Sequence, residues 1–257
     1  VSEDPSLAAV VLTFNVERHI APCLESLSWV DRLVVVDGGP GTVSTDRTVE
    51  LAQAAGAEVI HHLFRDYAHQ RNVALDQVRA DWVFFVDADE RATPELAAEV
   101  RSVIGSPGAE VGYWVPRHNY IFGRLTLGAG WYPDYQMRLV RPDRARWERP
   151  VHEVVVLDGP EGVLEHPLIH YNYDDLTDFK VRQRRYVEYD AGVLYREGVR
   201  PRFYTPYTQA VRHFWWRLVT LGGVRDGLHG LRLSLLMAYY EALKYRRLSQ
   251  MIEAGAD

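Results

Sequence analysis

The chain has 257 residues, 47% of them hydrophobic and 25% charged, and a formal net charge of −6. That length suits one large α/β domain, or a domain with an appendage, and argues against two large domains. The one cysteine, Cys23, excludes an intramolecular disulfide and fits a reducing compartment, and no Cys/His zinc spacing occurs.

The net charge hides an asymmetry. Residues 179–247 carry 14 Lys and Arg against 5 Asp and Glu, a net +9, which leaves −15 for the remainder. A basic, aromatic tail on an acidic body is expected to meet an anionic surface; membrane phosphates suit it, and the acidic body makes nucleic acid the poorer match. The N-terminus shows no basic segment followed by an apolar one, and no uninterrupted apolar stretch reaches spanning length. Neither a signal peptide nor a spanning helix is therefore expected.

Residues 9–15 are a short apolar run ending in polar residues, and Ile20, Cys23, Leu24, Leu27 and Val30 then fall on one face of a helix. Residues 33–37 read as a second buried strand, closed by Asp37 and followed by Gly38-Gly39-Pro40-Gly41. Ser44-Thr45-Asp46-Arg47-Thr48 can cap a helix holding Val49, Leu51, Ala52 and Ala55, with Gly56 as its stop. A third short strand covers 58–61, and a helix covers 67–78. Residues 82–86, Trp-Val-Phe-Phe-Val, read as a strand buried on both faces, which runs into Asp87-Ala88-Asp89-Glu90 and a helix start at Thr93-Pro94-Glu95. Strands alternating with helices of this length predict βαβ crossovers and a parallel sheet. Beyond residue 105 the pattern turns antiparallel, with strands over 111–116, 136–140 and 154–157.

Asp87 and Asp89 stand at i, i+2, so an extended segment puts both carboxylates on one side, at the strand end where ligands of parallel sheets bind. Their mutual repulsion is most commonly relieved by a divalent cation. Thr13, Asn15 and Asp37 fall at neighbouring strand ends, and Arg71 and Asn72 lie on the helix before the last of them. No Gly-x-Gly-x-x-Gly or Gly-Lys-Ser/Thr loop is present, so nucleotide binding would rest on side chains.

Four segments in this order, Leu12-Thr13-Phe14-Asn15-Val16-Glu17, Val36-Asp37 leading to Ser44-Thr45-Asp46-Arg47-Thr48, Gln70-Arg71-Asn72 and Val86-Asp87-Ala88-Asp89-Glu90, resemble the family 2 inverting glycosyltransferases of the GT-A fold. One departure is a lengthened loop over 38–43, where the family runs almost directly from the Asp into Ser-Thr-Asp. Residues 130–140, Gly-Trp-Tyr-Pro-Asp-Tyr-Gln-Met-Arg-Leu-Val, followed by Arg149-Pro150-Val151-His152-Glu153, resemble the subgroup of bacterial lipopolysaccharide inner-core β-glucosyltransferases. The resemblance implies a Rossmann-like, mostly parallel sheet with helices on both faces. It also implies a metal-dependent, inverting transfer of a hexose from a nucleotide-diphosphate sugar, most simply a UDP-sugar, to a membrane-associated glycan or glycolipid.

On this reading Thr13, Asn15, Glu17, Asp37, Asp46, Arg71 and Asp87 surround the nucleotide. Asp89, with His152, holds Mg²⁺ or Mn²⁺, and Glu153 is the general base. Trp131 and Asp134 are acceptor-side candidates. Arg182 and Arg185, in a helix over 177–198, either answer the diphosphate or solvate one face. The expected organisation is a catalytic domain over 1–175, with a nucleotide-sugar half to 105 and an acceptor half from 106, and a helical extension over 176–257. In that extension Phe214-Trp215-Trp216-Arg217 and an apolar stretch broken by Arg232 suggest lying on a bilayer rather than crossing it. A hairpin packed on the catalytic domain or on a second copy is the other reading. The implied location is cytoplasmic, peripheral on the inner face of the membrane. A sugar-phosphate nucleotidyltransferase would share the sheet and the metal carboxylates but would bring a Gly-rich basic loop after the first strand. A non-catalytic nucleotide-sugar-binding protein at the membrane would keep the fold alone.

Overall fold

In the first strand, β1 (Leu7–Thr13), residues Leu7, Ala9 and Val11 alternate with Ala8 and Val10, and both sets are buried. An apolar strand on both faces is stable only inside a sheet that is covered on both sides. In the computed structural model, which describes residues 5–106, 108–149 and 154–255, β1 pairs in parallel with β2 (Arg32–Asp37) on one side and β4 (Trp82–Asp87) on the other, and β3 (Glu58–His61) extends β2. The register sets Thr13 opposite Asp37 and Leu12 opposite Asp87, so the carboxyl ends of three strands finish in line.

The crossovers are α1 (Glu17–Glu25), α2 (Thr48–Ala54) and α3 (Tyr67–Gln77), and α4 (Pro94–Gly105) follows the turn after β4. Local chemistry fixes their starts. Asp66 accepts the His69 N–H at 2.7 Å at the head of α3, and Thr93 accepts the Leu96 N–H at 3.1 Å ahead of Pro94. On one face of the sheet Leu7, Ala9, Val11, Phe84 and Val86 pack with Ile20, Cys23 and Leu24 of α1 and with Leu96, Val100 and Ile104 of α4. On the other face Ala8, Val10, Val34, Val83 and Phe85 pack with Ala68, Ala74 and Leu75 of α3. The helix expected to run to Val30 ends at Glu25; Leu27 still joins the core from the turn beyond it.

The later strands are β5 (Glu90–Ala92), β6 (Gly112–Ile121), β7 (Arg124–Thr126), β8 (Tyr135–Val140), β9 (Ala145–Glu148), β10 (Val154–Leu157), β11 (Glu161–Val163) and β12 (Leu168–Tyr173). β8 inserts antiparallel between β4 and β6, giving the order β3-β2-β1-β4-β8-β6. β5, which the sequence did not suggest, pairs antiparallel with the start of β12 and sets Glu90 opposite His170. β9 and β10 form a separate ribbon. Asn72 on α3 grips that ribbon, donating to the Trp147 carbonyl at 2.7 Å and accepting its N–H at 3.0 Å, while Phe85 meets the Trp147 ring edge-on.

Two compact units emerge: residues up to Arg117 with Asp134–His170, and His118–Pro133 with the residues from Tyr171 onward. In the second unit Ile121, Tyr173, Phe179, Leu233 and Tyr240 form the core. Its helices are α5 (Leu176–Arg196), α6 (Thr205–Trp215) and α7 (Gly227–Ala254), the last two joined by a π turn over Trp216–Thr220 and a 3-10 turn over Gly223–Asp226. His213 faces Glu241 and Tyr207 lies beneath Arg246, so α6 and α7 run antiparallel as a hairpin. Among the described residues no helix is long and apolar enough to cross a membrane.

Replacing Asn72 by Ala leaves two backbone groups of Trp147 without their partner, which costs about 1–3 kcal/mol for buried polar groups. A urea unfolding series should show a lower midpoint for Asn72→Ala, and an unchanged midpoint would mean that the ribbon is held by packing alone.

Candidate active site at the sheet's carboxyl edge

β4 ends at Asp87, and the chain turns through Ala88 and Asp89 into β5. The turn is held from inside by Glu90, which is fully buried and accepts the Asp87 N–H at 2.9 Å. Arg138 of β8, 2% exposed, donates to Glu90 at 2.5 Å and forms a short ion pair with Asp87. Arg117 of β6 pairs with Glu90 at 3.1 Å and with Asp134 at 2.7 Å, and Gln136 donates to Asp134 at 3.0 Å. A second guanidinium, Arg71, stands 3.8 Å from Asp87 and lies over the Trp147 ring. Arg91 staples the outside of the turn, donating to the carbonyls of Ala88, Glu90 and His19.

The two carboxylates of the turn therefore have different surroundings. Burial alone would raise the Asp87 carboxyl, but the charges of Arg138 and then Arg71 overcome it and hold the group well below the usual carboxylate range. Asp89 points elsewhere: its carboxylate lies 3.6 Å from Nε2 of His170, which the β5–β12 pairing delivers. The Asp89 carboxylate is the oxygen ligand that Mg²⁺ or Mn²⁺ takes readily, whereas an imidazole nitrogen is a softer ligand that Mg²⁺ takes reluctantly. Among the described residues no group of three or more His, Cys, Asp and Glu converges on one point. His152 and Glu153 lie outside the described residues.

Thr13, Asn15, Glu17, Asp37 and Asp46 do come together, bonded to one another's loops. Asp37 is fully buried; one oxygen accepts from Thr13 Oγ1 at 2.9 Å and Ser44 Oγ at 2.5 Å, the other from the Ser44 N–H at 2.9 Å. Asn15, at φ 53°, accepts the Thr45 N–H at 2.9 Å through its side chain, while its own N–H donates to Ser44 Oγ at 2.8 Å. Asp46 accepts from Glu17 at 3.1 Å and Thr48 at 3.0 Å, and Glu17 accepts the Arg47 N–H at 3.2 Å. Burial pushes the Asp46 carboxyl up, and the Thr48 side chain, followed by the N–H groups of Thr48 and Glu17, more than offsets it, leaving it lowered.

Asp37 is thus the fastening of the 38–44 loop rather than a bare carboxylate, and the exposed rim is Asn15, Glu17 and Thr45. The loop itself is pinned at two points. A Cβ on Gly38 would come within 2.0 Å of the His62 carbonyl oxygen, and one on Gly39 within 2.3 Å of the Phe14 ring, whereas Gly41 has open space around it.

The remaining candidates belong to the second unit. Trp131 is half-buried, edge-on to Tyr173 with ring centroids 5.8 Å apart; the Arg217 guanidinium stands 5.9 Å from its ring, and its Nε1 is buried without a hydrogen-bond partner. Arg182 donates to Asp178 at 2.9 Å and lies over Tyr173. Arg185 is exposed.

Sequence reasoning missed Glu90, Arg117, Arg138 and His170. Arg138 had a signal, a lone charge inside an apolar strand, and Glu90 directly follows the paired aspartates; His170 had none.

Arg138→Met removes the cation shared by buried Glu90 and half-exposed Asp87, leaving Glu90 only Arg117 and Asp87 only Arg71, and breaking a fully buried pair of this kind costs up to about 3–5 kcal/mol. The depressed Asp87 contributes stability that is full above its ordinary value of 3.8 and is lost as pH falls through its lower folded value. Without Arg138 that contribution shrinks, and acid unfolding followed by circular dichroism should show its midpoint at higher pH.

The family model for glycosyl transferase family 2 matches residues 8–150. Over 259 aligned residues, 95% of this chain and 92% of the relative, the chain is 29% identical to the lipopolysaccharide core biosynthesis glycosyltransferase LpsC of Rhizobium meliloti. Two solved structures of glucosyl-3-phosphoglycerate synthase from Mycobacterium tuberculosis share the fold at 19% identity, covering 77% of this chain and 81% of theirs. The one with phosphoglyceric acid gives a TM-score of 0.51, and the one with Mn²⁺, uridine diphosphate and glucosyl-3-phosphoglycerate gives 0.50. With a parallel sheet carrying paired aspartates at its carboxyl edge, and a family match over more than half its length, this chain is a GT-A-fold glycosyltransferase and belongs to glycosyl transferase family 2.

Proposed function

We propose that the chain moves a hexose with inversion from a UDP-sugar to a hydroxyl of a membrane-associated glycan or glycolipid, working as a peripheral protein on the inner face of the membrane. The observation that carries this reading is the unequal environment of the paired aspartates: Asp87 is committed to arginines, while Asp89 stands beside His170 at the sheet's carboxyl edge. The full-length likeness to a lipopolysaccharide core glycosyltransferase supports a glycolipid acceptor. Family membership favours this chemistry over nucleotidyl transfer and over mere binding.

Asp89, with His152 or His170, would hold the Mg²⁺ or Mn²⁺, which when bound supplies positive charge to the departing diphosphate. The rim around Asn15, Glu17 and Asp46, with Thr13 and Asp37 behind it, would take the base, and Arg71 and Asp87 the ribose side. Glu153 would take the proton of the acceptor hydroxyl as its oxygen bonds to the anomeric carbon and the bond to the β-phosphate oxygen breaks. Asp134 suits that role less, since Arg117 and Gln136 already occupy its oxygens. Trp131 would stack on an acceptor sugar, and Arg182 and Arg185 would answer phosphate charge. Residues 1–175 would be the catalytic part and 176–257 the part that meets the membrane.

Calorimetry of UDP binding should find that affinity needs the divalent cation and is lost in Asp89→Ala; binding unaffected by EDTA and by that change would remove the metal assignment. Glu153→Gln keeps the size of the side chain but not the proton acceptor. Its turnover should fall about 10²- to 10⁴-fold with UDP affinity retained, and near-normal turnover on the true acceptor would move the base to another residue.

A further inference from the structure

The turn that closes the α6–α7 hairpin is apolar where a water-exposed turn is ordinarily polar. Trp215, Trp216, Val219, Val224 and Leu228 are all exposed, Leu228 to 83%. The stripe continues down α6, because Tyr207, Val211, Trp215 and Val219 recur every four residues and all are exposed. On α7 an open groove of about 350 Å³ follows, lined by Leu228, Leu231, Leu235, Leu236 and Tyr239, with Arg232 as its one charged group. Exposed apolar side chains gathered at one turn and along both helices that leave it mark a contact with something other than water.

We propose that this hairpin end is a bilayer-docking surface, inserting its Trp, Val and Leu side chains among the headgroups of anionic phospholipids. The proposal rests on the reading of the acceptor as membrane-associated and names the element that would bring the enzyme to it. Charge selects the occupant. Arg212, Arg225 and Arg232 are exposed along the apolar surface, within a stretch of net +9. A second copy would press like charges together, whereas an anionic bilayer supplies both hydrocarbon and the opposite charge. Tryptophan and tyrosine favour the headgroup level, and arginine stems let their guanidinium groups reach phosphates while the neighbouring leucines are immersed. The Arg232 guanidinium lies over the Phe122 ring with 4.7 Å to its centroid, which holds that cation at the edge of the groove. Since no described helix can cross a membrane, the contact is interfacial.

The test is flotation of the full chain with phosphatidylcholine vesicles, with and without phosphatidylglycerol, in the absence of nucleotide and acceptor. Its result therefore stands apart from whether the donor-site reading holds. The expected result is flotation with the anionic vesicles only, released by high salt, and lost in both Leu228→Asp and Arg225→Glu, while circular dichroism and Mn²⁺-dependent UDP binding are unchanged. A chain that stays at the bottom of the gradient at low salt overturns the proposal, as does flotation that survives Leu228→Asp. A concentration-dependent dimer that Leu228→Asp abolishes, without flotation of the parent chain, would assign the surface to a second copy instead.

Discussion

Arg138 brings a guanidinium into the closed interior of an apolar strand, at 2% exposure, and the carboxyl edge of the sheet is arranged around the need to meet it. Taking a cation out of water costs several kcal/mol, and one carboxylate seldom returns all of it. Here the response is shared. Asp87 and Glu90 both face Arg138, Glu90 also receives Arg117, and Arg117 continues to Asp134. The chain of ions joins β4, β5, β6 and β8, and its anchor point, Glu90, also accepts the Asp87 N–H that begins the turn. The geometry of the paired aspartates is therefore set from below by buried charge rather than by the turn's own residues. Arg138 Nε still lacks a partner, so the arrangement is bought at some residual desolvation.

The parallel half of the sheet was legible because burial on both faces leaves continuous runs of Val, Phe and Leu, and three such runs each stop at a polar residue. The antiparallel half was less so. β5 has three residues, too few for any period to show, and its partner β12 comes from far along the chain. At the site, the motifs that name Thr13, Asn15, Glu17, Asp37 and Asp46 fall on loops that the structure bonds to one another. Spacing could not say that these residues spend most of their hydrogen-bonding capacity on each other, because that depends on Asn15 taking a left-handed backbone and on Ser44 folding back onto Asp37. His170 was invisible for the same reason as β5: nothing local distinguishes it, and strand pairing alone sets it beside Asp89.

The same economy marks the two halves of the molecule differently. In the first unit the charges at the sheet edge are paired inward, Asp87, Glu90 and Asp134 against Arg138, Arg117 and Arg71, so their interactions are little screened by salt. In the second, much of the positive charge is spread on exposed arginines that face water. Ionic strength therefore acts on the exposed arginines of the second unit and on surface pairs of the first such as Arg47–Glu50, and least on the buried Arg138–Glu90 pair.

The pinned glycines of the 38–43 loop bear on how this site tolerates redesign. Any side chain at Gly38 or Gly39 presses on the His62 carbonyl or the Phe14 ring, and so disturbs the ends of two strands at once. Pro40, Gly41 and Thr42 are exposed, and Thr42 closes the loop by accepting the Gly39 N–H at 2.7 Å. Diversity confined to Pro40 and Thr42 would sample new surface beside the Asn15 and Glu17 rim, whereas Gly41, at φ 74°, holds a backbone conformation that a side chain strains. A library spread evenly over the whole loop would lose members at Gly38, Gly39 and Gly41, where the backbone tolerates no other side chain without strain.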